Sequence, residues 1–185
     1  MEESVEIQPE IYIAIASGPP SNADTKDINL LQKRLIKTGL PKMIWGATLA
    51  ISIRESTVFI ARDRNRRDDN PFGTIVGMVC LSICKPPSRW YGMVDDVVVS
   101  GEKEYIHKGI GTKLMNTAIA FAKENGLEEI NLKSHPDRGP ANAMYLKLGF
   151  KLIIKGDAAK GISNYYQLSL VEKPTTEEKN QTPKE

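Results

Sequence analysis

Residues 94–126 read "VDDVVVSGEKEYIHKGIGTKLMNTAIAFAKENG", and no other stretch constrains the fold so tightly. A valine run suits a strand covered on both faces, the environment of the middle of a sheet rather than its edge. After a polar loop, Ile110, Leu114, Ala118, Phe121 and Ala122 recur at helical spacing, and Gly126 provides a stop. A central strand feeding an amphipathic helix predicts an α/β (α+β) domain in which helices cover a sheet. With 185 residues the chain is about one domain long, enough to bury a core without disulfides or metals.

The flanking segments supply the rest of such a sheet. "EIYIAIAS" alternates Ile11, Ile13 and Ile15 and predicts a first strand with one buried face. Ile28, Leu31 and Leu35 mark a helix with Asp24 as its cap and Gly39 and Pro41 at its end; "KMIWGATLAISIRES" is read as a short second helix. "TVFIARD" and "GTIVGMVCLSIC" are strands, joined by "RNRRDDNPFG", which is expected to be a solvated hairpin loop with Asp68 and Asp69 offsetting its arginines. "EEINLKS" is the next strand, "GPANAMYLKLG" a helix, and "FKLIIK" and "NYYQLSL" close the sheet. The expected domain runs over residues 10–171, after an N-terminal extension at 1–9. A polar tail at 172–185 is expected to be disordered.

The loop before the central helix suits an anion. The first N–H groups of a helix lack internal partners and point outward at the positive end of its dipole, and the glycines of Gly109-Ile110-Gly111 let a ligand approach the backbone. Lys108 can add charge at the rim. Gly-x-Gly alone also fits a tight turn that binds nothing. The P-loop pattern is absent, and the dinucleotide fingerprint fails because Leu114 stands where a third glycine belongs.

A second motif follows. "NLKSHPDRGPANAMYLKLGFK" contains Asn142, Ala143, Tyr145, Gly149 and Phe150 in a variant of the pattern Asn-x-x-Ala-x-x-x-Tyr-x-x-x-Gly-Phe that keeps the Tyr-x-x-x-Gly-Phe end, and the two segments together resemble the GNAT superfamily of N-acetyltransferases. Members usually carry Arg or Gln three residues before the first glycine; here Ile106 stands there, and His107 replaces a common glycine. The resemblance implies a mixed, mostly antiparallel sheet of about seven strands with about four helices, its two central parallel strands splayed around acetyl-CoA. It further implies that main-chain groups of Val97, Val98 and Val99 pair with the pantetheine arm. By the same resemblance, amides from His107 through Lys108, Gly109, Ile110 and Gly111 to Thr112 are expected to take the pyrophosphate, with Asn142 and Tyr145 contributing from the following helix.

Acetyl transfer to an amine needs a proton acceptor, because an alkyl amine of pKa ~10.4 is neutral in only about one molecule in 2,500 at pH 7, a cost of roughly 4.6 kcal/mol. Asp95 and Asp96 stand where the family often places an acid, and strand alternation predicts that they point to opposite faces, with Asp96 preferred as the base. Either could instead be tied to loop amides or a surface lysine. Tyr145 matches the family position for a donor to the leaving thiolate, although a tyrosine at helical spacing also suits a core. Arg138 can reach a substrate or remain a surface residue. His107 and His135 are read as solvated.

A formal charge of +2 argues against general attraction to nucleic acid or an anionic membrane, so a charged substrate must be met locally. No apolar run reaches the ~20 residues of a membrane span, and "MEESVEIQPE" lacks signal-peptide features, which points to the cytoplasm. Cys80 and Cys84, about 13 Å apart along one strand, are too distant for a disulfide and read as buried small apolar residues, with no metal expected. The expected partners are acetyl-CoA and an amine acceptor, of a small molecule or a protein, and a homodimer is left open. The alternative reading is a coenzyme-A-binding regulatory or interaction module that keeps the fold without turnover.

Overall fold

The computed structural model describes residues 8–35, 46–66 and 70–171. In chain order its elements are β1 (Ile11–Ile15), α1 (Asn22–Leu35), α2 (Gly46–Glu55), β2 (Thr57–Asp63), β3 (Thr74–Cys84), β4 (Tyr91–Val99), α3 (Ile110–Glu124), β5 (Glu129–Ser134), α4 (Gly139–Lys147), β6 (Lys151–Ile154) and β7 (Asn164–Ser169). The strands form one sheet of order β1-β2-β3-β4-β5-β7-β6, in which only β4 and β5 are parallel neighbours. The mixed, mostly antiparallel sheet and its four helices match the expectation from sequence. The tail at 172–185 and the stop at Gly39 and Pro41 lie outside the described residues, as do Asp68 and Asp69.

Two apolar clusters sandwich the sheet. On one face Leu114, Met115, Ala118 and Ala122 of α3 are fully buried against Phe59, Val79, Leu81, Val94 and Ile130. Each such side chain as large as leucine contributes roughly 1.5–3 kcal/mol through burial. On the other face Ile28 and Leu31 of α1 and Leu49 of α2 pack on Val58, Ile60, Met78 and Val98. Gly77 allows α3 to approach closely, since a Cβ there would sit 3.1 Å from Leu114 Cδ1.

Helix α1 begins differently from the expectation. Ser21 caps it, its Oγ accepting from the Asp24 amide at 3.0 Å, while the Asp24 carboxylate accepts from the Ser21 amide at 3.4 Å, a reciprocal capping box. The other Asp24 oxygen accepts from Arg62 at 2.7 Å and from Asn70 at 2.8 Å. These charged and amide donors outweigh burial and hold the Asp24 carboxyl below the usual range. Asn70 is 2% exposed, so the β2–β3 connection is not simply a solvated loop. Asn70 is drawn into the network because the buried carboxylate and guanidinium need partners.

Candidate active site

Parallel pairing of β4 with β5 runs from Tyr91–Glu129 to Val94–Leu132 and stops, although β4 continues to Val99 and β5 to Ser134. The two strands therefore part at Asp95, as the family resemblance implies. The edge of β4 beyond that point faces a gap rather than a neighbour, and its main-chain groups at Val97–Val99 are available to an extended ligand.

A β-bulge lies at the parting. Met78 pairs with Val98 and Cys80 with Asp95, so Asp96 and Val97 stand opposite the single residue Val79. Asp96 absorbs the extra length with a left-handed backbone, φ 51°. The bulge overturns the expectation that alternation separates the two aspartates, while the valines are covered on both faces as expected. Val94 packs in the α3 cluster but Val98 in the α1 cluster, two faces that strict alternation would have made one. Asp95 is opposite Cys80, itself packed toward α1, and Gln32 of α1 reaches Asp96. Both carboxylates thus line one cleft of about 340 Å³, shared with Gln32, Leu35, Lys133, Arg138 and Tyr145.

The cleft's polar groups are unevenly satisfied. Asp96 Oδ2 accepts from Gln32 Nε2 at 3.3 Å. Burial first, and the neighbouring Asp96 charge second, raise the Asp95 carboxyl above its ordinary value, with Lys133 acting against them. Tyr145 is 4% exposed, packs beside Phe150 and Tyr166, and has its phenol pushed up to about 12 by burial, so it stays protonated at neutral pH. Arg138, the residue before α4, donates to the Leu35 carbonyl at 2.6 Å and so ties α4 to the end of α1. Cys80 and Cys84 are free and partly rather than fully buried; burial and the two aspartates push the Cys80 thiol to about 12.

Helix α3 starts where the sequence places it. Gly109 is its N-cap with φ 70°, and no side chain caps the first turn, which leaves its leading N–H groups pointing outward. His107 is also left-handed, φ 60°, and Lys108 between them is not, the kind of alternation from which main-chain anion-binding concavities are built. His107, Lys108 and Thr112 are exposed, whereas the Ile110 side chain is buried and can offer only its amide. Asn142 Nδ2 donates to the carbonyls of His135 and Pro136, and its buried Oδ1 has no partner among the described residues. The gap, the outward amides and this unmatched amide oxygen suit the pantetheine arm and pyrophosphate of coenzyme A.

Two residues outside the sequence reading organise the site. Gln32 is 8% exposed within the Ile28–Leu31–Leu35 stripe; a polar residue on an apolar helical face was its only signal. Tyr105 is the one buried residue between Glu102 and Gly109, and its hydroxyl donates to Asp63 Oδ2 at 3.0 Å, pinning the anion loop to β2. Nothing local in "EKEYIHKG" announces a partner 42 positions away.

Comparison with known proteins agrees with this geometry. A 48-residue stretch, 25% of this chain and 27% of the relative, is 42% identical to streptothricin acetyltransferase A of Bacillus subtilis (strain 168), so the chain matches about a quarter of that protein's length. Among solved structures, one of the NatC complex bound to Gag peptide and CoA superposes with a TM-score of 0.69 at 17% identity, covering 88% of this chain and 99% of that one. The structure of yncA from Salmonella typhimurium with its cofactor acetyl-CoA gives a TM-score of 0.68 at 15% identity, covering 90% and 97%. At these identities the likeness concerns the fold. The profile of the acetyltransferase (GNAT) family matches residues 33–150, from the last turn of α1 to the end of the Asn142–Phe150 motif, and the chain belongs to that family.

Proposed function

We propose that this protein is an N-acetyltransferase that moves an acetyl group from acetyl-CoA to a primary amine, of a small molecule or a protein, by direct attack in a ternary complex. The observation that carries the reading is the parting of β4 from β5 at Val94–Leu132, directly beside a cleft that holds two carboxylates and a protonated tyrosine. The free edge of β4 at Val97–Val99 would hold the pantetheine arm by main-chain hydrogen bonds, with Asn142 nearby, and the amides from His107 to Thr112 the pyrophosphate, with Lys108 at the rim. No helix among the described residues is long and apolar enough to cross a membrane, and we place the activity in the cytoplasm.

Acetyl-CoA supplies the thioester whose C–S bond breaks as the amine nitrogen bonds to its carbonyl carbon. Asp95 or Asp96 takes the proton that the ammonium form must lose. The raised affinity of Asp95 for a proton brings it closer to the amine's own, which favours the transfer. Tyr145 retains its proton at neutral pH and donates it, or a hydrogen bond, to the departing sulfur. Lys133 and Arg138 limit the negative field of the aspartate pair at the cleft mouth.

The test pairs calorimetry of coenzyme A with thiol release from acetyl-CoA across a panel of amines. Binding of the coenzyme together with amine-dependent release is the expected result. Absence of coenzyme binding by the folded protein would overturn the reading.

A further inference from the structure

The two adjacent aspartates are not equivalent, and the difference originates on another element. Gln32 projects from α1 into the cleft, nine-tenths buried, and its side-chain amide makes its hydrogen bond to Asp96 Oδ2 at 3.3 Å. A buried amide left without a partner is costly, which favours keeping that contact. Asp96 is restrained a second time by the bulge and its left-handed backbone. Asp95 faces the same cleft and accepts no hydrogen bond from any described residue.

We infer that Gln32 is a positioning residue: it anchors Asp96 and leaves Asp95 as the carboxylate that accepts the amine's proton. The inference rests on the acetyl-transfer reading above and reverses the preference for Asp96 drawn from sequence. In this division Asp96 acts on Asp95 through its charge. The groups facing Asp95 are Asp96 on its own strand, Cys80 across from it on β3, Lys133 on β5, and Arg138 and Tyr145 at α4; α1 presents only the neutral Gln32 and Leu35. Burial and the Asp96 charge raise the Asp95 carboxyl, and Lys133 opposes them. Cys80, pushed up to about 12, and Tyr145, likewise, stay neutral through the range in which a carboxyl titrates. Among the described residues facing Asp95, Asp96 is therefore the one that supplies a neighbouring negative charge.

The experiment compares the parent with Gln32→Met, Asp95→Asn, Asp96→Asn and the Gln32→Met/Asp96→Asn double variant. Rate–pH profiles are read together with carboxyl-carbon titrations of the free proteins by NMR. Asp95→Asn is expected to lose ~10²- to 10⁴-fold in kcat, the range of a general base. Asp96→Asn is expected to lose about 10-fold or less and to move the acid limb of kcat/KM to lower pH, because removing a like charge favours ionised Asp95. Gln32→Met displaces that limb in the parent and leaves it in place when Asp96 is already Asn, since Gln32 acts through Asp96. Equal displacement in both backgrounds, no displacement in the parent, or a larger loss for Asp96→Asn than for Asp95→Asn overturns the assignment. Coenzyme A affinity within about twofold of the parent confirms that each variant is folded, a condition all four should meet. A protein that binds the coenzyme but turns over no amine would sink the activity reading alone, because the Asp95 titration in the parent and in the three variants that retain Asp95 still decides the role of Gln32.

Discussion

Tyr105→Phe tests the bond that docks the anion loop. Tyr105 is 2% and Asp63 4% exposed, and the Tyr105 hydroxyl is one of three donors to that carboxylate among the described residues. The other two are the amides of Glu10, at 3.1 Å, and Asn65, at 3.0 Å. Phenylalanine keeps the ring and its packing but removes the hydrogen bond to the buried carboxylate together with the phenol's contact with Arg66; the bond to the carboxylate alone is a loss of about 1.5–3 kcal/mol. At about 2 kcal/mol the change is roughly 30-fold in an equilibrium constant. For a domain of this size it lowers Tm by about 4–8 °C. Arg66 still pairs with Glu102 and Glu104, so the loop keeps one tether to the β2–β3 connection. The loss should accordingly appear as local opening before global unfolding, with amide exchange across Ser100–Gly109 accelerated by about the same 30-fold. Urea unfolding gives the global figure and hydrogen exchange by mass spectrometry the local one. A stability change below about 0.5 kcal/mol with unaltered exchange would show that the buried bond does not hold the loop, and the argument from Tyr105 would fail.

Three further outcomes are expected. Tyr145→Phe retains the contacts with Phe150 and Tyr166 but removes the proton donor, so kcat should fall ~10²- to 10⁴-fold while calorimetry finds coenzyme A affinity nearly intact; unchanged turnover would make the tyrosine a packing residue. Gly92→Ala places a Cβ 2.8 Å from Leu81 Cδ1 and 3.3 Å from Leu127 Cδ1, and the overpacking should cost about 1–3 kcal/mol in denaturant unfolding, with no loss at all refuting the close approach. Because the Asp95 carboxyl is raised above 3.8 in the folded protein, the stability linked to its protonated form is complete below that pH and is lost as pH rises through the folded value. Asp95→Asn cannot ionise, so it should melt above the parent at pH 7, and the advantage should vanish below 3.8; a constant difference across pH would contradict the assigned environment.

The division between sequence and structure follows the range of the interactions involved. Helix α3 was legible because its stripe from Ile110 to Ala122 repeats at 3.6 residues and its limits at Gly109 and Gly126 are left-handed positions that glycine occupies without strain. The strands were legible for the same reason at period two, and the Asn142–Phe150 motif carried the family because its spacing lies within one helix and its cap. What the local pattern could not contain is the bulge that sets two residues of β4 against Val79 of β3, since a bulge is a property of the pairing and not of either strand. From that one slip follow the left-handed Asp96, the turning of both aspartates into one cleft and the appearance of Val94 and Val98 on opposite faces. Gln32 beside Asp96, 64 positions away, and Tyr105 on Asp63 are likewise contacts that exist only once the helices are laid on the sheet. Sequence alone thus determined the strand–loop–helix frame and the family, through periodicity and capping. Tertiary packing decided which carboxylate is held and which is left free, because only there does the Gln32 amide, 64 positions away along the chain, come within hydrogen-bond reach of Asp96.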